Sequence, residues 1–317
     1  MTGGLAATAG GLAALGPIWD DPEVTDVLVN GPGVVWVERA GRLSPTELRL
    51  TADEVEAWCQ RLLHPLSVPL DRAHPVAEAR LADGARVAIA IRPVAPGGPI
   101  VAIRRPARRA LGLADFGPPS VVHLLERVVE DRSNVVVAGP TGAGKTALLG
   151  ALCGGCARDE RLVVIEDCGE LVVDGPQVVR LEARDHPAGP IEGIRHLVRG
   201  SLRLRPDRIV VGEVRGAEAL DMIWALSTGH RGSMSTVHAD GPADVMARLE
   251  TMCLLGGDGL PAAAVSRQVR SAIDVIVMVG RGAGGGRVVT GVWGLRVGAS
   301  GVELVPEHTS ARGSDRP

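Results

Sequence analysis

Tyrosine is absent from this 317-residue chain, phenylalanine occurs once, and all aromatics together make up 2% of it. Proteins that hold single-stranded nucleic acid by base stacking need aromatic platforms, so that class of function is disfavoured. Charge of one sign is also lacking: 34 Lys and Arg face 37 Asp and Glu, a net charge of -3. No overall basic field pulls the chain toward a polyanion, and direct nucleic-acid binding is not expected. No apolar run reaches the length that spans a bilayer. Residues 1–16 are rich in Gly and Ala without a basic stretch ahead of an apolar one. They therefore lack the pattern of a secretory signal, and a cytoplasmic protein is expected. Cysteines number five, an odd and scattered count. Cys153 and Cys156 form a C-x-x-C with no second pair and no histidine at zinc-finger spacing, which favours packing over a redox or metal role.

What the chain has in quantity is glycine, 42 residues. One stretch gives it a purpose: Gly139, Pro140, Thr141, Gly142, Ala143, Gly144, Lys145 and Thr146 fit G-x-x-x-x-G-K-[ST]. The apolar, β-branched run Asn134–Ala138 reads as a buried strand before it, and Ala147–Leu152 as a helix after it. Strand, glycine-rich turn and helix are the setting in which successive backbone N–H groups cradle a phosphate. In that setting Lys145 reaches the β- and γ-phosphates and Thr146 holds Mg²⁺. The sequence thus predicts a nucleoside triphosphate site.

Two domains are expected around this motif. Residues 1–16 read as a mobile tail and 17–105 as a small α+β domain. In that domain a β-meander leads to a helix opened by the capping box Thr51…Glu54. A hairpin turning at Asp83-Gly84 follows. Residues 106–119 read as a Pro/Gly-punctuated linker, with Arg104 and Arg105 before it and Arg108 and Arg109 within it; such runs are either solvated surface or arginines that reach a neighbouring phosphate site. Residues 120–300 show apolar strands recurring at the intervals of a doubly wound parallel sheet, and 301–317 read as a polar tail.

Three clusters fall at strand ends, where open α/β sheets bind ligands. Glu166, Asp167 and Glu170 follow one strand, and carboxylates so crowded call for a cation or a water network. Glu213 ends another strand, where a carboxylate orients Mg²⁺ or the attacking water. The Asp usual before such a Glu is Gly212 here, so metal binding must lean on Thr146, water and the other acidic cluster. His230 and His238 flank a third strand and read as sensors of the γ-phosphate.

In wording and order, the motifs from Asp20 to Leu295 resemble the type II/type IV secretion ATPase superfamily, in particular its tight-adherence pilus and conjugal-transfer-associated branch. They include Asp21-Pro22-Glu23-Val24-Thr25-Asp26, Val29-Asn30-Gly31-Pro32, the P-loop, Ile165-Glu166-Asp167 with Glu170-Leu171, Arg203 to Gly216, and Thr228-Gly229-His230 through Ser235-Thr236-Val237-His238-Ala239. The resemblance implies a RecA-like P-loop NTPase motor domain preceded by a smaller α+β domain. It implies a homohexameric ATPase on the cytoplasmic face of the inner membrane, docked on a platform protein and powering pilus assembly or protein or DNA secretion. Mg-ATP would lie between the two domains. Glu213 would be the catalytic carboxylate, and Glu166 and Glu170 would help with Mg²⁺ and water. Arg86 and Arg104 would reach nucleotide phosphates from the N-terminal domain or across a subunit boundary, with Arg215 and Arg231 as lesser candidates. Cys168-Gly169 replaces the usual Thr-Ala, and no tetracysteine zinc module is present. A nucleic-acid-stimulated motor and a nucleotide-gated, non-hydrolysing scaffold are the alternative readings.

Overall fold

A computed structural model describes residues 15–39, 41–106, 110–186, 189–257, 259–282, 285–298 and 301–309. The chain divides into two units, Met1–Arg108 and Arg109–Pro317. In the first, α1 (Pro17–Asp20) precedes the antiparallel meander β1 (Val24–Asn30), β2 (Gly33–Arg39) and β3 (Arg42–Leu50). Then come α2 (Ala52–Leu63), the hairpin β4 (Val76–Arg80) and β5 (Arg86–Ala90), and β6 (Ile100–Arg104). Thr51 and Glu54 form both halves of the capping box: the Thr51 hydroxyl accepts the Glu54 N–H, and the Glu54 carboxylate accepts the Thr51 N–H at 2.7 Å. Strand order is β3-β2-β1-β6-β5-β4. Alternate strand residues such as Val27, Val29, Val35, Val37, Val87 and Ile103 point to one face and form a core with Val55, Trp58, Leu62 and Leu63 of α2.

The second unit is built on a sheet in which β7 (Val135–Gly139) runs parallel to β13 (Met234–His238) on one side and to β14 (Val275–Arg281) on the other. β12 (Arg208–Val211), β8 (Leu162–Glu166) and β9 (Val178–Glu182) continue it in parallel beyond β13. The antiparallel pair β15 (Arg287–Gly298) and β16 (Gly301–Thr309) extends it beyond β14. A short hairpin, β10 (Arg184–His186) with β11 (Gly189–Glu192), stands apart. The helices are α3 (Pro119–Glu130), α4 (Lys145–Gly154), α5 (Ile194–Ser201), α6 (Glu218–Ser227), α7 (Pro242–Gly256) and α8 (Ala262–Ala272).

Every residue of β7 and β8 is buried, as expected for parallel strands covered on both faces. Val136, Ala138, Ile165 and Val211 face a core shared with α6, α7 and α8. Val135, Val137, Val164 and Val210 face the opposite core with α3 and α4. The ends of β7, β8, β12 and β13 therefore share one rim of the sheet.

Two stretches differ from the sequence expectation. Part of the proposed linker is packed: Phe116 is fully buried in the α3–α4 core, with Leu111 and Leu113 against it. Burying the one phenylalanine outweighs the Pro/Gly punctuation around it. Gly301–Thr309, read as tail, pairs with β15, with register shifting at Trp293 opposite Pro306. That proline hides the strand from a reading by composition, because Pro fits a sheet only at an edge or bulge. Arg108 and Arg109 lie outside the described residues. Among the described residues no helix is long and apolar enough to cross a membrane.

Candidate functional site

The loop between β7 and α4 bends where only glycine is accommodated. Gly139 has φ 155°, and a Cβ there would lie 2.1 Å from the Val279 carbonyl oxygen. Gly144 has φ 101°, and a Cβ there would lie 2.3 Å from Arg287 Cδ. At Gly142, by contrast, a Cβ would meet nothing within 4 Å, so the loop is open at its centre. Lys145 is only 6% exposed, and its Nζ donates to the carbonyls of Gly139 at 3.1 Å and Pro140 at 3.0 Å. A buried ammonium needs compensating groups, and carbonyl dipoles supply less than an anion does. With the N–H groups of the first turn of α4 lacking intrahelical acceptors, the loop fits a phosphate.

Lys145 also begins a line of polar contacts that joins the separate clusters. Its Nζ lies 3.1 Å from His238 Nδ1. An ammonium has no acceptor, so Nδ1 accepts and the ring proton sits on Nε2. Nε2 faces Glu213 Oε1 at 2.7 Å, and Glu213 Oε2 accepts from Arg215 at 2.6 Å. Burial and the Lys145 charge hold the His238 pKa below the usual histidine value, although Glu213 pulls the other way. Burial pushes Glu213 up, but the hydrogen bond and charge of Arg215, with the charges of His238 and Lys145, leave it below the ordinary carboxylate value. The result is a neutral imidazole beside an ionised carboxylate at neutral pH, an arrangement able to take a proton from water.

Glu166 occupies a different position. It is 4% exposed, and its Oε1 accepts the N–H groups of Glu170 and Leu171, both at 2.8 Å. Its Oε2 lies 3.8 Å from Arg180. Burial raises its pKa despite those amides and that arginine. Its side chain crosses Gly212, the residue just past the end of the adjacent strand β12: a Cβ at position 212 would stand 2.9 Å from Glu166 Cγ. The missing Asp before Glu213 thus has a physical reason, since the Cγ methylene of Glu166, reaching over from β8, crowds the place where its Cβ would stand. Asp167 and Glu170 both help to hold the Arg215 charge, after Glu213 itself. The cation that three crowded carboxylates call for is, at least in part, an arginine.

Among the described residues no cluster of three or more His, Cys, Asp or Glu forms a metal cage. Mg²⁺ at phosphate sites takes one or two protein oxygens together with phosphate and water, so a cage is not required. The Thr146 hydroxyl at the start of α4 fits that demand directly, whereas Oε1 of Glu166 accepts two amides and both Glu213 oxygens face His238 and Arg215, so these carboxylates suit contact through water.

The other predicted residues are placed as follows. His230 lies at the opposite end of β13 from His238, its Nδ1 3.2 Å from the Ala225 carbonyl oxygen, so the two histidines are not brought together. Arg231 joins Asp274 at that same far end. Arg86 and Arg104 are cross-strand partners on β5 and β6 in the N-terminal unit. Arg104 is exposed, while Arg105 turns inward to the carbonyls of Asp21 and Val24, with Trp19 4.8 Å below its guanidinium. Burial raises the Cys156 thiol to about 11 and the Cys153 thiol further, as suits packing residues. Arg281 and Arg287, against the phosphate loop, escaped the sequence reading. The available signal was a pair of arginines bracketing a glycine-rich turn after the last apolar strand.

The model of the family described as Type II/IV secretion system protein matches residues 11–281. A putative conjugal transfer protein of Mycobacterium tuberculosis strain H37Rv is 39% identical, over 96% of this chain and 90% of its own. The crystal structure of the VirB11 ATPase from the Brucella suis type IV secretion system, in complex with sulphate, is 31% identical with a TM-score of 0.51, over 91% of this chain and 94% of that one. The ATPase DotB of Legionella pneumophila, 20% identical over 90% of this chain and 81% of its own, shares the fold with a TM-score of 0.66.

Proposed function

The chain belongs to the Type II/IV secretion system protein family and is one of its ATPases, and from that premise we infer that it drives a conjugal-transfer or type IV secretion apparatus by hydrolysing ATP. The observation that carries this reading is the line Lys145–His238–Glu213, which joins the phosphate loop to an ionised carboxylate across neighbouring strand ends.

Gly139 to Thr146 hold the nucleotide phosphates, and Lys145 exchanges its carbonyl contacts for phosphate oxygens. Glu213 orients water and accepts its proton as the water oxygen bonds to the γ-phosphorus. The bond from that phosphorus to the bridging oxygen breaks, leaving ADP and inorganic phosphate. Thr146 and, through water, Glu213 and Glu166 would hold Mg²⁺, which would supply charge neutralisation at the phosphates. Arg215 fixes the Glu213 carboxylate through Oε2, and His238 packs its Nε2 against Oε1. Glu166 and Glu170 shape the adjoining strand end and hold water there.

The remaining roles rest on the family. The active form is a homohexamer on the inner face of the cell membrane, docked on a platform protein of the apparatus. Arg86 and Arg104, cross-strand partners where β5 begins and β6 ends, supply positive charge to nucleotide phosphates of their own or a neighbouring subunit. Lys145→Ala is expected to weaken ATP binding by about 10- to 100-fold, the worth of a charge-assisted contact. Calorimetric titration checks this, and a variant that bound ATP like its parent would overturn the assignment of the loop.

A further inference from the structure

The hairpin of β14 and β15 runs alongside the phosphate loop and touches it at several points. β14 pairs with β7 as far as Met278 opposite Ala138, after which the loop peels away and β14 continues to Arg281. The Val279 carbonyl then lies against Gly139, and the stem of the Arg287 side chain lies across Gly144. Between them, Arg281 Nε donates to the Gly142 carbonyl at 3.0 Å, while another of its N–H groups donates to Gly285 at 2.8 Å. One side chain therefore ties the turn of the hairpin to the centre of the loop.

The Gly142–Ala143 peptide is held at both ends. Its carbonyl accepts from Arg281, and its N–H donates to the Pro140 carbonyl at 3.3 Å. In a trans peptide these two groups point in opposite directions, so fixing the carbonyl also sets the direction of the N–H. Pro140 is also one of the carbonyls that hold Lys145.

The register adds a second observation. Arg281 stands directly opposite Arg287 across the antiparallel pair, and like charges so placed repel. Both stand beside a loop whose own lysine is positive. Three cations converging on one loop are stabilised when a polyanion is bound there.

We propose that Arg281 and Arg287 are positioning residues for the nucleotide polyphosphate, Arg281 by fixing the Gly142–Ala143 peptide and Arg287 by bracing Gly144 against a second positive charge. This rests on the nucleotide-site reading above and extends the site to the β14–β15 hairpin.

The test measures pyrophosphate and ADP binding by calorimetry and ATP turnover in the full-length parent, Arg281→Ala, Arg281→Lys and Arg287→Ala. For each alanine variant the Kd for pyrophosphate and the KM for ATP should rise about tenfold with kcat nearly unchanged, as expected for loss of a charged contact outside the reacting atoms. Melting without nucleotide should match the parent, and Arg281→Lys should recover most of the affinity. Kd and KM values within about twofold of the parent would overturn the proposal, because tenfold corresponds to only about 1.4 kcal/mol. So would a loss that lysine does not rescue and that tracks a lowered melting temperature, which marks a purely structural role. A parent that binds neither pyrophosphate nor ADP would overturn the nucleotide-site reading itself, and this inference with it.

Discussion

Glu213 is ionised and His238 neutral at neutral pH, each with its pKa held below the ordinary value, and both expectations at the residue scale follow from that. Glu213→Gln keeps the shape and loses the negative charge. Turnover should fall by about 10²–10⁴, the range for a general base, while ATP binding stays near the parent value. Turnover assays beside calorimetry check this, and undiminished turnover would remove Glu213 from the role. His238 has a folded pKa below its unfolded value of 6.5. The folded state therefore binds fewer protons there, so the His238 contribution to stability is present above pH 6.5 and is lost as pH falls through the folded pKa. Glu213 has the same sign in the carboxylate range, and Glu166, whose pKa is raised, the opposite one. Melting followed from pH 8 down to about 5 should show His238→Gln losing part of the parent's decline below pH 6.5. An unchanged slope would mean that Lys145 and burial do not act on the imidazole as the geometry indicates.

At the scale of elements, the site depends on how neighbouring strands end. β8 and β12 are parallel and in register from Leu162 opposite Arg208 to Ile165 opposite Val211. That register sets Glu166 beside position 212, where glycine leaves room for it. Gly212→Ala would force the Glu166 side chain aside and is expected to cost about 1–3 kcal/mol, as overpacking does. Because the displaced carboxylate organises the Glu170 and Leu171 amides, turnover should fall as well. Thermal melting and turnover on one preparation check both, and a variant like its parent in each would show the contact to be slack. The elements were largely legible from sequence: β7 through its run of β-branched residues, α2 through its capping box, and the β4–β5 hairpin through Asp83-Gly84. β16 was not, because Pro306 and Glu307 contradict strand propensity and only pairing with β15 outweighs them.

At the scale of the whole molecule, the chain forms two units that divide at Arg108. Arg86 and Arg104 lie in one unit and the phosphate loop in the other. If the active form is a ring whose sites are completed by neighbouring domains, turnover per subunit should collapse when the protein is diluted below its assembly concentration. A dilution series, with Glu213→Gln as the blank, checks this. Constant turnover per subunit would make the site self-sufficient and exclude a contribution of the two arginines to a neighbouring subunit's nucleotide.

The sequence by itself determined the phosphate loop, the parallel sheet around it and the acidic strand end at Glu213. Each of these is a local pattern: glycine spacing, runs of β-branched residues, and a carboxylate where such a run stops. It also carried enough ordered motifs to point to the family. Only the tertiary structure decided which distant residues meet. It joined His238 to both Lys145 and Glu213 and sent His230 to the far end of the same strand. It placed Glu166 over Gly212, gave Arg215 to the carboxylates, and brought Arg281 and Arg287 onto the loop. The physical reason is that strand order and register set these encounters. Strands far apart in the chain become neighbours through crossovers, and no local pattern records which side chains a crossover will bring into contact.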